Sequence, residues 1–418
     1  MSLRLSVLDQ SVACAGRGED HALRDTLALA EHCEALGYER FWVSEHHGMP
    51  TIVGTAPEVL MAAIAARTAR IRIGSAGVML PHYSAFKVAE AFRVLDALAP
   101  GRIDLGLGRA PGSDRRTAQA LNPHVSGLAE DVPQQVLDLQ AWVSGRPHQG
   151  VVAHPLPPLA AGEHPPAFPH QRPEVGAQVA TSPTRGEGTQ GTRTAPAIGP
   201  ADRRPEMWIL GSSDYGAQLA AHLGLPYAFA YFFMDGQGVE QALDLYRTLY
   251  RPSERHPQPQ ATICVWALAA DTDEQAEFQA LSRERWRVNR QRGLLGPLQR
   301  PQDVAAQGFS DEEMAAVVAP LRRKALVGSA ATVRQKLQAL ARSLGLDHLV
   351  VNTWAHDPAV RRHSYALLAQ EFGLAGSTAW AGAGGSAAAL ATASAATAAQ
   401  AANTAHAANT ANTATAVT

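Results

Sequence analysis

Cysteine is scarce in this chain of 418 residues: there are three, Cys14, Cys33 and Cys264, widely spaced and odd in number. That count excludes a disulfide framework. Without a CxxC pair or a His/Cys cluster there is no pattern for structural zinc either. An excess of charge of one sign is also missing. The 36 Lys and Arg against 38 Asp and Glu leave a formal net charge of −2, which gives no electrostatic footprint for nucleic acid or an anionic membrane. No 18 consecutive residues are strongly apolar, so no membrane span is expected. The opening MSLRLSVLDQ runs straight into a strand-like stretch, with no basic segment followed by an apolar one, and a cytoplasmic protein is expected.

What is present is a hydrophobic content of 46%, enough for a sizeable core, laid out as an alternation. Apolar runs at Leu3–Leu8, Arg40–Ser44, Ile71–Val78, Arg102–Leu107, Met207–Leu210, Tyr227–Ala230, Thr262–Ala267 and His348–Asn352 read as strands. Val88, Phe92 and Leu95 fall at i, i+4 and i+7, and Val333, Leu337, Leu340 and Leu344 extend the same spacing to i+11, one face of a helix in each case. Eight strands alternating with helices predict an α/β fold, a (β/α)8 TIM barrel, with a doubly wound open sheet as the alternative. Two segments break the rhythm. Residues 148–204, dense in Pro, Gly, Thr and Arg, read as a long irregular insertion, disordered or loosely packed. Residues 375–418, Ala- and Thr-rich without Asp, Glu, Lys or Arg, read as a low-complexity C-terminal tail. The barrel is therefore assigned to 1–147 and 205–374.

In such folds ligands bind at strand C-termini, and here those ends carry unusual chemistry. Glu45-His46-His47 closes the second strand. Adjacent side chains on an extended backbone point to opposite faces, so the histidines should not share a metal, and no third ligand suggests one. Either one imidazole faces the mouth as an acid/base or hydrogen-bond donor, or both are structural. Gly74-Ser75-Ala76-Gly77 interrupts the third strand with small residues, through close approach of a flat ligand or through tight barrel packing. Gly106-Leu107-Gly108-Arg109-Ala110-Pro111-Gly112 follows the fourth. It is no dinucleotide loop, since Pro111 stands at the third glycine. Arg109 reads as an anion ligand, a phosphate being one fitting anion, or as a surface ion pair. Gly211-Ser212-Ser213-Asp214-Tyr215-Gly216 precedes a helix, which makes an anion site, simple N-capping by Ser213 or Asp214, or both. Tyr215 in place of glycine speaks against a serine-hydrolase elbow.

Taken in order, EHH, GSAGVMLPHYSAFKVAE, PGRIDLGLGRAPG, WILGSSDYGAQLAA and VGSAATVRQKLQAL…LDHLVVNTWAHD resemble the bacterial luciferase-like, flavin-dependent monooxygenase family, over roughly residues 1–147 and 205–373. The resemblance implies bound reduced FMN, supplied by a separate flavin reductase. It further implies O2 and an organic, aldehyde- or ketone-like substrate oxygenated through a flavin peroxide, and a homodimer. His46 matches the catalytic histidine at the reactive flavin edge. Ala76 and Gly77 match a pair joined by a non-proline cis peptide against the isoalloxazine ring. Arg109 and Ser213 match positions that hold the flavin phosphate, and Glu45, Ser212, Tyr215 and Gly216 complete the implied cofactor-binding set. Ser212 stands where luciferase subunits carry a glutamate and Gly108 where they carry a reactive cysteine, so cysteine-dependent behaviour is not expected. Relatives of this barrel suggest two alternatives: hydride transfer with a deazaflavin, and flavin binding without turnover.

Overall fold

The computed structural model describes residues 3–109, 114–123, 131–156, 204–233 and 235–376. Their strands are β1 (Arg4–Asp9), β2 (Arg40–Val43), β3 (Arg72–Ser75), β4 (Val78–Met79), β5 (Ile103–Gly108), β6 (Glu206–Gly211), β7 (Tyr227–Phe229), β8 (Ala261–Ala270), β9 (Leu326–Ser329) and β10 (His348–Asn352). Every named pairing is parallel. β1 pairs with both β2 and β10, and β10 pairs back to β8, so the ring closes as β1-β2-β3-β5-β6-β7-β8-β10. This is the eight-stranded (β/α)8 barrel expected from the alternation, and the open sheet is ruled out.

Strands buried on both faces divide their side chains between helices outside and the lumen inside. Val88, Phe92 and Leu95 are all buried on the helix Ala85–Leu98. On the helix Ala330–Ser343, Val333 and Leu337 are buried and Leu340 only partly so, while Leu344 is buried just past its end.

Three expectations need correction. The third strand is not continuous over Ile71–Val78: it stops at Ser75 and resumes as β4, with Ala76-Gly77 between and β4 paired to β5 through Val78 and Leu107. A strand at Leu326–Ser329 went unread. It lies outside the ring, added to the C-terminal half of β8 through Ala267 and Leu326, and four residues ending in Gly-Ser carry too little pattern to stand out. The packed chain also continues beyond 147. His148 and Val151 bridge each other, His148 Nε2 lies 2.8 Å from Asp138 Oδ1, and Ala153 is fully buried. The rest of the expected insertion, 157–203, and the tail from 377 lie outside the described residues. Among the described residues no helix is long and apolar enough to cross a membrane.

The lumen is filled in layers. At the N-terminal end Asp104 accepts from Arg40 Nη1 (2.8 Å), Trp42 Nε1 (2.9 Å) and Arg72 Nε (3.0 Å), and Arg40 also reaches Glu206 Oε2 at 2.7 Å. Burial alone would raise the Asp104 carboxyl, but Arg40 and Arg72 outweigh it and hold the group below the usual carboxylate range. Above that layer Trp42 and Trp208 meet edge to face, 5.2 Å between centroids, packed with Leu8, Cys264 and Val350. As a floor, these layers separate the cavity at the C-terminal mouth from a polar hollow at the N-terminal end bordered by Arg4, Arg40 and Glu206.

Candidate active site

Residues leaving β2 set the first wall. Glu45 is buried, and both its oxygens are used by the protein. Oε2 accepts the Met79 N–H at 3.0 Å, and Oε1 accepts the Tyr83 hydroxyl at 2.6 Å with His47 Nε2 2.7 Å away. This carboxylate ties the exit of β2 to β4 and the turn after it, and His47 is spent on that tie. His46 is turned the other way, as the alternation required. Its backbone N–H donates to Gly54 O at 3.0 Å, and its ring lines the mouth cavity. The buried Nδ1 has no partner among the described residues. Burial first, then the neighbouring His47 and Arg290, push its pKa down to about 4. At neutral pH the ring is an uncharged imidazole, with one nitrogen that donates and one that accepts.

Between β3 and β4 the Ala76–Gly77 peptide is cis, as the resemblance implied. Here Ser75 Oγ donates to Gly106 O and accepts from Gly106 N, both at 3.0 Å, stitching β3 to β5. The small residues have two reasons. A Cβ on Gly74 would sit 2.6 Å from Trp42 Cδ1, and one on Gly106 would overlap the Ser75 carbonyl oxygen, so tight packing explains those two. Gly77 borders the cavity, and its own Cβ would meet Gly106 O at 2.9 Å. The result is a smooth backbone wall.

The opposite rim is built for negative charge. Arg109 is exposed, makes no ion pair among the described residues, and stacks its guanidinium 4.1 Å from the Tyr215 ring centroid. Among the described residues no carboxylate pairs with Arg109, and the anion-ligand reading is the one this geometry supports. The helix starts at Asp214 and runs to Leu223, so it takes in the last three residues of the Gly211–Gly216 stretch read as preceding it. Ser213 occupies the N-cap position but its side chain bonds no first-turn N–H, and the Asp214 carboxylate accepts from Gln241 instead. Neither side chain caps the helix, which leaves first-turn N–H groups and the positive end of the helix dipole facing the rim. A Cβ on Gly216 would meet Gly211 Cα and the Tyr227 ring at 3.5 Å, an ordinary contact, so packing alone does not demand glycine there.

All nine residues singled out from the sequence, Glu45, His46, Ala76, Gly77, Arg109, Ser212, Ser213, Tyr215 and Gly216, line one cavity of about 290 Å³. Sequence reading missed Gln10, Trp42, Met79, Phe232, Phe233 and Cys264 in the same wall. Gln10 follows Leu8 at the two-residue spacing of an inward face, and Phe232-Phe233 directly after β7 was a legible aromatic signal at a strand end. Burial pushes the Cys264 thiol well above its ordinary value, so it is no nucleophile.

Residues 3–127 and 163–348 match the luciferase-like monooxygenase family. A luciferase-like monooxygenase of Escherichia coli strain K12 is 37% identical over 366 residues, 88% of this chain and 96% of that protein. The N-acetyl-S-alkylcysteine monooxygenase of Bacillus subtilis strain 168 is 31% identical over 378 residues, 88% of this chain and 97% of that one. Among solved structures, apo-MsnO8 superposes with a TM-score of 0.73 at 31% identity, covering 89% of this chain and 99% of its own. The chain belongs to the luciferase-like monooxygenase family.

The residues present fit a phosphate-bearing flavin. A planar ring system needs a flat wall, which Ala76-Gly77 supplies. A phosphate needs unspent donors, which Arg109 and the uncapped helix start supply. The unpartnered Nδ1 of His46 offers the ring's reactive edge a hydrogen-bonding group.

Proposed function

We propose that this protein is an FMN-dependent monooxygenase, with reduced FMN delivered by a separate reductase and an aldehyde- or ketone-like compound, or a thioether, as substrate. The observation that carries the reading is the convergence of an uncharged His46, whose Nδ1 has no partner among the described residues, and an open anion rim on one apolar cavity. Reduced FMN, when bound, supplies the two electrons by which O2 delivers one oxygen atom to the substrate and the other to water. The protein supplies the surroundings. Arg109, Ser212, Ser213 and the helix start hold the phosphate; Ala76 and Gly77 support the ring; Trp42, Phe232 and the other apolar walls keep bulk water away. His46 holds or moves a proton at the ring's reactive edge, and Glu45 and His47 keep it facing that way. The thioether option follows the B. subtilis relative, whose name gives N-acetyl-S-alkylcysteine as its substrate.

The test is turnover under ¹⁸O2 with reduced FMN and a panel of decanal, cyclohexanone and N-acetyl-S-methylcysteine. Expected is one ¹⁸O atom in the product of at least one compound. Reaction with reduced deazaflavin under nitrogen, with no oxygen incorporated from FMN, would show hydride transfer instead.

A further inference from the structure

The β8 wall of the cavity continues upward into an aromatic shelf. Trp266 follows the cavity-lining Cys264 by two residues on β8, so it shares the inward face, and its indole Nε1 is buried without a partner among the described residues. Phe232, itself in the cavity wall, packs on the same cluster, and Trp286 meets Trp354 edge to face at 4.8 Å. Gln10, also in the cavity wall, accepts from the Trp354 indole at 3.1 Å. The aromatic cluster thus abuts the cavity wall through Phe232 and Gln10.

The helix Asp273–Gln291 lays its arginines over this shelf. Two of them are matched by carboxylates: Arg285 by Glu313 at 3.1 Å and Arg287 by Asp235 at 2.7 Å. Nearby Glu284 is committed to Arg322 at 2.7 Å and Glu313 also to Arg292 at 2.7 Å. Arg283 and Arg290 have no ion pair or side-chain hydrogen bond among the described residues. Arg283 is only 7% exposed, its guanidinium 4.1 Å from the Trp266 ring centroid, and Arg290 stands 5.5 Å from that of Trp286. Arg290 is also close enough to His46 to depress its proton affinity. Arg283 therefore keeps donor capacity free at a largely buried position, where an anionic partner is favoured. Stacking on tryptophan offsets part of the cost of burying the charge. A ligand anion would offset the rest.

We propose that Arg283 and Arg290 form a substrate subsite for a carboxylate, so that the compound presented to His46 is an organic acid whose apolar body lies along Trp266 and Phe232. The subsite stands apart from the Arg109 rim, which is left to the cofactor phosphate. It rests on the FMN reading given above and narrows the substrate class.

The experiment is calorimetric titration of FMN-loaded protein with N-acetyl-S-methylcysteine, hexanoate and phenylacetate, each beside its carboxamide. At least one carboxylate is expected to bind tenfold or more tightly than its amide. In Arg283→Gln that preference should fall to within threefold, with FMN affinity unchanged and partial recovery in Arg283→Lys. Arg290→Gln, at an exposed position, should reduce the preference as well and serves if the buried variant does not fold. No tenfold preference for any acid over its amide in the wild type overturns the proposal, as does a preference that survives in Arg283→Gln, or in Arg290→Gln where that variant stands in. Failure of the wild type to bind FMN, with carboxylate selectivity intact, would overturn the cofactor reading and leave the subsite standing.

Discussion

Replacing His46 with Ala should lower kcat about 100-fold or more while FMN affinity stays within threefold of wild type. The magnitude follows from general acid–base catalysis, where a positioned proton carrier contributes roughly 10²–10⁴ in rate. Binding should survive because His46 contributes neither to the anion rim nor to the backbone wall, and because Glu45 and His47, which hold the strand exit, are untouched. Since burial, His47 and Arg290 push the His46 pKa to about 4, the ring stays uncharged from about pH 5.5 upward. The deficit of the variant should therefore be constant between pH 6 and 9. Stopped-flow single turnovers with reduced FMN separate the two quantities. A variant that keeps wild-type kcat, or one that loses FMN and rate together, contradicts the assigned role.

The second large effect concerns the floor. Asp104→Asn should destabilise the barrel by about 3–5 kcal/mol, the usual outcome when one partner of a buried ion pair is removed and the other is left behind. Arg40 would retain Glu206, but Arg72 would lose its principal buried acceptor and the Trp42 indole would face an amide. The pH dependence has a definite sign. Asp104 has a folded-state pKa held below its unfolded value, so its contribution is present above about pH 4 and is lost as the pH falls through the depressed folded value. Asp104→Asn should therefore be least different from wild type in acid. Urea unfolding at pH 7 and pH 3.5 measures both parts. An equal midpoint for variant and wild type at pH 7 would show that the cluster fills space without stabilising.

How much of this was legible in the sequence depended on the kind of signal. The closed barrel followed from strand–helix alternation because each strand was long or apolar enough to register against its flanks. β9 did not register: its four residues end in glycine and serine, and only its addition to β8 makes it a strand. The interruption of the third strand was marked by Gly74 to Gly77, yet two chemically different causes were open. The structure assigns Gly74 to the Trp42 ring, and Gly77 to both the Gly106 carbonyl and the cavity. Short-range rules also misplaced the start of the helix at Asp214. Serine and aspartate side by side left an anion site and simple capping both open, and in the fold the Ser213 side chain makes no capping bond.

Long-range facts were out of reach for a different reason. Arg40, Arg72, Asp104 and Glu206 are spread over 166 positions of sequence and meet only when the ring closes. Likewise the shelf of Trp266, Trp286 and Trp354 comes from three separate elements. No local pattern distinguishes Arg283, which makes no ion pair among the described residues, from Arg285 and Arg287 beside it. That distinction depends on Asp235 and Glu313, which lie elsewhere in the chain.

The central claim is that distant strand ends form one seat for a flat ring with a phosphate tail. Parallel titrations of the protein with FMN and with riboflavin, which lacks the phosphate, followed by flavin fluorescence, address it directly. The expected result is one FMN bound per chain and riboflavin bound at least tenfold more weakly, a difference of about 1.4 kcal/mol, which Arg109→Ala should largely abolish. Equal affinity for the two flavins, or no saturable binding of FMN, would contradict it.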